Sequence, residues 1–340
     1  MTNSKAENAK VKRAYMRYLR EAEGKDIKTL DRALSAICEF EESTGGKAFK
    51  AFHINQAIKF KEFLGARKSR RTGHRLALST IDVTLRQTKQ FFIWLAGQPG
   101  YKSRISYTDA EYFSNTLKKT RAAQAMNSRS VPSLEQVRYA LECMPKETDL
   151  NLRDRALLSL FALTGARIQA VASLRFKHLV LNQRRLLQDA RVVNTKNGKT
   201  MDTTFFPVGE EFVFALEAYV ERLKSELHFG PDDPLFPRQA SIRTENGFAA
   251  DGLSRTFYRT ANPLNLAVKA AFENAQLPLF TPHSFRHMLA DLGSSLNLNP
   301  KEFKAWSVNL GHENVTTTVS SYLQVTPNEQ RELMQRLIKR

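Results

Sequence analysis

Apolar periodicity stops between Lys118 and Pro132, and that interruption limits the folds open to this chain. Lys118-Lys119-Thr120-Arg121 leads into AAQAMNSRSVP, a polar, basic stretch with no apolar repeat, which reads as an interdomain linker over 121–132. A chain of 340 residues accommodates roughly two domains at about 150 residues each. The linker therefore divides a first domain (1–120) from a second (133–325), followed by a C-terminal tail (326–340). Each domain must bury a core of its own. Ser133-Leu134-Glu135-Gln136 supplies a capping box for the helix that opens the second domain.

The first domain reads as a small helical bundle. Ile81, Leu85, Phe92 and Leu95 recur at helical spacing, with Phe91 and Trp94 widening the stripe and Ser79 or Thr80 placed to cap its start. These aromatics are read as core rather than as a base-stacking platform. Weaker helical patterns cover about 5–22, 28–43 and 53–66, separated by Gly24 and by Gly45-Gly46.

The second domain changes character. Helices are expected over about 152–164 and 167–174, followed by a strand-like block from about 178 to 208. Within it, Arg191–Lys196 and Lys199–Val208 flank Asn197-Gly198, and Asn-Gly between strand-like runs is a strong hairpin signal. Helices resume at 209–226, with Phe212, Leu216, Val220 and Leu223 on one face, and dominate to the end. The tail reads as a short helix with Leu333, Leu337 and Ile338 on one side. The expected fold class is mainly α with a small antiparallel β-sheet.

Charge points to the partner. Lys and Arg number 52 against 34 Asp and Glu, a formal net charge of +18. Such an excess neutralises phosphates and releases counterions, so nucleic acid leads and an anionic membrane surface is second. The excess is concentrated early: residues 1–125 hold 25 basic and 12 acidic side chains, and the remainder 27 and 22. Its densest run contains Arg67, Lys68, Arg70, Arg71 and Arg75 with no acid. It joins two helical patterns and reads as a phosphate-tracking loop. No strongly basic amphipathic helix with an apolar opposite face stands out, and no apolar run approaches the ~20 residues of a membrane span. The polar start lacks an apolar leader segment. Two cysteines, Cys38 and Cys143, make no disulfide framework, so a cytoplasmic, nucleoid-associated location is expected.

Candidate chemistry begins at Thr281-Pro282-His283-Ser284-Phe285-Arg286-His287. Thr then Pro marks a helix N-cap and first helical position. His283 and Arg286, at i and i+3, project together near a helix N-terminus, which favours an anion. His283 and His287 could also be read as a metal pair. No Glu follows His283 in the metalloprotease pattern and neither cysteine lies nearby, so no metal site is assigned. Upstream, Thr164-Gly165-Ala166-Arg167 puts an arginine just after a helix-ending glycine. Downstream, Leu310-Gly311-His312 lets a left-handed Gly311 swing His312 outwards, ahead of Ser321-Tyr322. Lys196 and Lys199 stand on either side of the Asn-Gly tip.

In that order, these elements resemble the tyrosine recombinases, or phage-type integrases: an Arg after a T-G-x turn, a Lys at a β-hairpin, H-x-x-R, L-G-H, and a following Tyr. The resemblance covers about 133–325, and the first domain is similar to the family's helical core-binding domain. It implies a helical core-binding domain joined to an α+β catalytic domain. It further implies a site-specific recombinase that cuts and rejoins DNA strands through a 3′-phosphotyrosyl link, without metal, ATP or other cofactor. Tyr322 would be the nucleophile. Arg167, Arg286 and His312 would bind the phosphate oxygens, Lys196 would protonate the leaving 5′-oxygen, and His283 would assist proton transfer at the tyrosine. Two duplex sites and a tetramer on DNA follow from the same resemblance.

This sequence departs from the family pattern at three points. His312 and Tyr322 are ten positions apart, one more than the commonest spacing. Ala170 stands where the family usually carries an acid that orients the first arginine. Lys199 rivals Lys196 across the hairpin tip. The alternatives are an idle DNA-binding or architectural descendant, a type IB topoisomerase-like activity, or a hairpin-forming resolvase.

Overall fold

The computed structural model describes residues 2–69, 72–116, 120, 130–195, 198–244, 247–312, 330–332 and 334–335. The chain divides into two compact units, Met1–Arg129 and Ser130–Arg340. Arg70, Arg71, Lys196 and Tyr322 lie outside the described residues.

Four long helices build the first unit: α1 (Thr2–Glu21), α2 (Ile27–Ser43), α3 (Ile54–Ala66) and α4 (Leu78–Ala96), followed by the short α5 (Tyr107–Glu111). Asp26 caps α2 by accepting the Thr29 N–H at 2.7 Å. Helix α4 begins one residue before the expected cap. Its N-cap is Ala77, with no side-chain hydrogen bond, so neither Ser79 nor Thr80 does that work. Phe91, Phe92 and Leu95 are fully buried and Trp94 is partly buried. They join a phenylalanine cluster in which Phe92 lies 5.0 Å from Phe40, 4.3 Å from Phe52 and 4.9 Å from Phe113, ring centre to ring centre. Interlocked edge and tilted contacts of this kind bring stabilisation beyond the area they bury. The buried Asn8 side chain binds the Lys47 carbonyl and the Phe49 N–H, tying α1 to the turn before α3.

The second unit opens with the expected capping box. Ser133 Oγ accepts the Gln136 N–H at 3.2 Å, and Gln136 Oε1 accepts the Ser133 N–H at 2.9 Å. Helix α6 (Leu134–Cys143) leads to α7 (Asp149–Thr164), whose middle is buried all round. The expected helix over 167–174 is a single turn, α8 (Ile168–Val171).

A three-stranded antiparallel sheet follows, in the order β1 (Leu179–Val180), β2 (Arg185–Gln188), β3 (Met201–Thr204), with β2 and β3 in register Arg185↔Thr204 through Gln188↔Met201. The strand expected over 199–208 is present as β3, shorter than expected. The one expected over 191–196 is corrected: residues 191–195 form no strand because Asp189 ends β2, its side chain accepting the Arg191 N–H at 3.0 Å and its carbonyl those of Val192 and Val193. Such an Asx turn competes directly with strand pairing.

Beyond the sheet come α9 (Glu210–Glu221), with a π-turn at Arg222–Glu226, and a second hairpin, β4 (Gln239–Thr244) and β5 (Gly247–Leu253). That hairpin was not expected. On α9 the buried face is Phe212, Leu216, Tyr219 and Leu223, Val220 being only half-buried. Tyr219 takes the central place because its hydroxyl reaches the Leu235 carbonyl at 2.9 Å. Helices α10 (Asn262–Asn274), α11 (Pro282–Ser295) and α12 (Pro300–Asn309) complete the described core. In the tail, residues 330–332 and 334–335 are helical. Among the described residues no helix is long and apolar enough to cross a membrane.

Candidate active site

The site is built at the ends of helices. Thr164 ends α7 with its hydroxyl bonded back to the Leu160 carbonyl at 2.6 Å, while its oxygen accepts the Ala166 N–H at 3.2 Å. Gly165 turns the chain with φ of +57°, and a Cβ there would fall 2.9 Å from Leu289 Cδ1. Glycine is required on both grounds. Arg167, half-buried, then forms the N-cap of α8. Ala170 is buried in the core, and its carbonyl accepts the Ser173 hydroxyl at 3.0 Å.

On α11, Thr281 is the N-cap and Pro282 the first helical residue. His283 and Arg286 do not share an environment: His283 is exposed, while Arg286 is only 1% exposed. The His283 ring meets that of His287 edge-on at 5.1 Å. Among the described residues no group of three or more His, Cys, Asp or Glu could hold a metal ion.

Arg286 joins the motifs that are far apart in sequence. Its Nη1 donates to the Gly165 carbonyl at 2.7 Å, and its Nη2 donates to the Leu310 carbonyl at 2.5 Å and lies 3.1 Å from His312 Nε2. Among the described residues Arg286 Nε, also buried, has no acceptor. A guanidinium carries five N–H donors in a rigid fork, so this one braces two backbone turns and the His312 ring with donors to spare. With Nε2 accepting from Arg286, the His312 proton sits on Nδ1.

Gly311 has φ of +78°, as expected of a helix-ending glycine, but His312 turns inward rather than outward. It is 5% exposed and its N–H donates to the Ser307 carbonyl at 3.1 Å. Met201, on β3, lies against the same turn, where a Gly311 Cβ would meet its Sδ and Cε. Helix α12 is fixed to the same strand through Asn309. Its Oδ1 accepts the Thr204 N–H at 2.9 Å and its Nδ2 donates to the Thr204 carbonyl at 2.8 Å. Phe206 extends the attachment, its N–H reaching the Leu163 carbonyl at 2.7 Å.

The described residues on either side of Lys196, 189–195 and 198–200, are anchored at several points. Val193 is buried in the core, the Asn194 N–H donates to Ser173 Oγ at 2.8 Å, and the Ala190 N–H donates to Thr200 Oγ1 at 3.1 Å. Asp189, at its start, takes both the guanidinium and the N–H of Arg191, which hold its carboxyl down to about 2. Sequence reasoning missed Ser173 and Asn309; neither carries a local signal beyond standing near Arg167 and L-G-H.

In the first unit the described residues on either side of Arg70-Arg71 pair with one another between α3 and α4. The Ser69 N–H reaches the His74 carbonyl at 2.8 Å, and Lys68 bridges Arg75. Lys68 and Arg75 are exposed. Arg67 is engaged elsewhere, 2.9 Å from Glu42 and over the Phe63 ring.

Comparison with known proteins follows the same lines. The phage integrase family model matches residues 133–329. The tyrosine recombinase XerD of Yersinia pestis is 28% identical over 187 residues, covering 55% of this chain and 54% of that protein. The chain thus spans about half the length of that relative. The tyrosine recombinase XerC of Roseiflexus sp. is 23% identical over 289 residues, covering 84% and 79%. Among solved structures, a lambda integrase dimer bound to a COC′ core site aligns with a TM-score of 0.62 at 14% identity, covering 93% and 95%. The Tn1549 transposon integrase in complex with transposon right-end DNA aligns with 0.62 at 17%, covering 96% and 99%. A lambda integrase tetramer bound to a Holliday junction aligns with 0.59 at 14%, covering 91% and 78%. At these identities the likeness is one of fold.

Proposed function

This chain belongs to the phage integrase family of tyrosine recombinases, and from that premise we propose that it is an active site-specific DNA recombinase or integrase. One observation carries the reading. The Arg286 guanidinium draws the T-G-A-R turn, the H-S-F-R helix and the L-G-H turn into one cluster through Gly165, Leu310 and His312. The T-G-A-R turn lies 121 residues from Arg286 and the Leu310 carbonyl 24 residues from it, yet both meet the one buried guanidinium.

In this reading a DNA phosphate is held by Arg167, Arg286 and His312. Guanidinium forks match pairs of phosphate oxygens and stabilise charge that grows at the pentavalent transition state. Tyr322 Oη attacks phosphorus, the bond to the 5′-oxygen breaks, and that oxygen takes a proton from Lys196. His283 assists removal of the tyrosine proton. The 3′-phosphotyrosyl ester retains the bond energy and returns it when another strand's 5′-hydroxyl attacks. The partner is double-stranded DNA at two recombination sites. The working unit is a tetramer, in keeping with the DNA-bound integrases that share the fold. Lys68 and Arg75, with Arg70 and Arg71, would contribute phosphate contacts from the first unit.

Covalent trapping tests this. Wild type and Tyr322→Phe are incubated with nicked suicide duplexes carrying candidate sites, then run on denaturing gels. A protease-sensitive DNA adduct made by wild type and absent from the variant is expected. No adduct on sites the protein binds would replace this reading with an idle, architectural DNA-binding role. Plasmid relaxation without strand exchange would replace it with a topoisomerase-like one.

A further inference from the structure

We propose that Ser173 and Asn309 are positioning residues that set the two described arms of the general-acid loop, residues 189–195 and 198–200, in register with the phosphate-binding groups. The inference rests on the recombinase reading above. Arg167 is the N-cap of α8, and Ser173 lies just past that helix. Its hydroxyl donates to the Ala170 carbonyl at 3.0 Å and accepts the Asn194 N–H at 2.8 Å, so the Arg167 segment holds the middle of the loop directly. Asn309 is the last residue of α12, three before His312. Its side-chain amide pairs with both backbone groups of Thr204, the last residue of the strand that follows the loop.

Strand β3 is an edge of its sheet, and an edge strand leaves N–H and C=O groups unpaired. Asn309 satisfies one of each as another strand would. Gly311 lies against the Met201 side chain at the other end of β3, a second contact between the same two elements. The arm 189–195 is thereby tied to the arginine segment, and the strand that follows 198–200 to the histidine segment. A proton donor carried between those arms would be tethered to both groups that hold the phosphate. Misplacement of a catalytic group by about 1 Å can cost on the order of 10²-fold in rate, so these anchors act on protonation of the leaving oxygen.

The test separates positioning from folding by removing the need for the acid. Cleavage rates are measured for wild type, Ser173→Ala, Asn309→Ala and Arg286→Ala on a suicide duplex. They are measured again on the same duplex with sulfur replacing the bridging 5′-oxygen, whose thiolate leaves without a proton. On the ordinary duplex the two anchor variants should lose about 10-fold to 10²-fold, and on the sulfur duplex they should return to near the wild-type rate. Arg286→Ala should stay impaired on both. Ser173→Thr, which keeps the hydroxyl, should restore the ordinary rate, and thermal unfolding of each variant identifies any that fail to fold. Equal losses on the two duplexes, or no loss on either, would overturn the inference. Failure of wild type on both would sink the recombinase reading itself.

Discussion

Arg286 and His312, 26 positions apart in sequence, meet through Nη2 and Nε2 at 3.1 Å, while the same guanidinium binds the carbonyls of Gly165 and Leu310. In the proposed mechanism the phosphate-binding role of Arg286 and its structural role are therefore joined in one side chain. A lysine at 286 offers one ammonium where a planar fork bridges three acceptors. Arg286→Lys should lower DNA cleavage by about 10²–10³-fold, as loss of a preorganised oxyanion donor does. It should also lower the melting temperature, since buried carbonyls are left unpaired. Because His312 shares the contact, Arg286→Lys combined with His312→Ala should be less than additive in cleavage rate. Full additivity would mean that the two residues act separately.

Gly311 makes a second, separable prediction. Gly311→Ala meets both an unfavourable φ of +78° and a collision with Met201 Cε. A strained non-glycine backbone costs about 1–3 kcal/mol, and moving the flexible Met201 tip aside adds a smaller part. Removing the obstruction with Met201→Ala in the same protein should recover the packing part and leave the backbone part. Urea unfolding of the two singles and the double measures this. A double no more stable than Gly311→Ala would show that Met201 is not the obstruction.

Much of this was legible in the sequence, for physical reasons. Gly165 and Gly311 announce helix ends because a left-handed residue must follow the last turn. Ser133 with Gln136 announces a helix start because their side chains answer its unpaired backbone groups. The buried face of α4 was readable from its 3.6-residue repeat. The end of the strand before Asn197-Gly198 was not, because Asp189 takes the backbone N–H groups that a longer strand would have used. The second hairpin carries an equal signal in Asn246-Gly247, overlooked among helical patterns on either side. The inward turn of His312 was illegible because the group that meets its ring, the Arg286 guanidinium, comes from another helix. The pairing of Asn309 with Thr204 has the same character: it exists only once an edge strand and a helix end have met.

The basic run in the first unit should divide into two kinds of residue. Lys68 is exposed, whereas Arg67 is paired with Glu42 and stacked on Phe63. Lys68→Ala should weaken DNA binding across sequences and reduce the slope of log affinity against log salt by about 0.9, as loss of one phosphate contact does. Arg67→Ala should leave the salt slope unchanged and lower stability slightly, by about 0.2–1 kcal/mol for an exposed pair. Fluorescence anisotropy over a salt series distinguishes them. A larger slope change from Arg67 than from Lys68 would reverse the assignment.

Protonation of His178 should limit stability in mild acid. The ring is buried, and its Nδ1 accepts the Arg175 N–H at 2.9 Å. Burial, then the cations of Lys177 and Arg175, push its pKa below the ordinary 6.5, with Asp189 and Asp232 opposing them. The fold thus holds the neutral ring, while the unfolded chain takes up the proton first as pH falls. The stability this group contributes is complete above about 6.5 and is lost below it, at up to about 1.4 kcal/mol for each pH unit until the folded form also protonates. His178→Gln keeps an acceptor for Arg175 and does not titrate. Urea midpoints for the two proteins should therefore differ most at pH 7.5 and converge toward pH 5.5. Other carboxylates and histidines titrate equally in both, so the difference between the curves isolates His178. A gap that stays constant across that range would mean that the ring takes up its proton equally in the folded and unfolded chains.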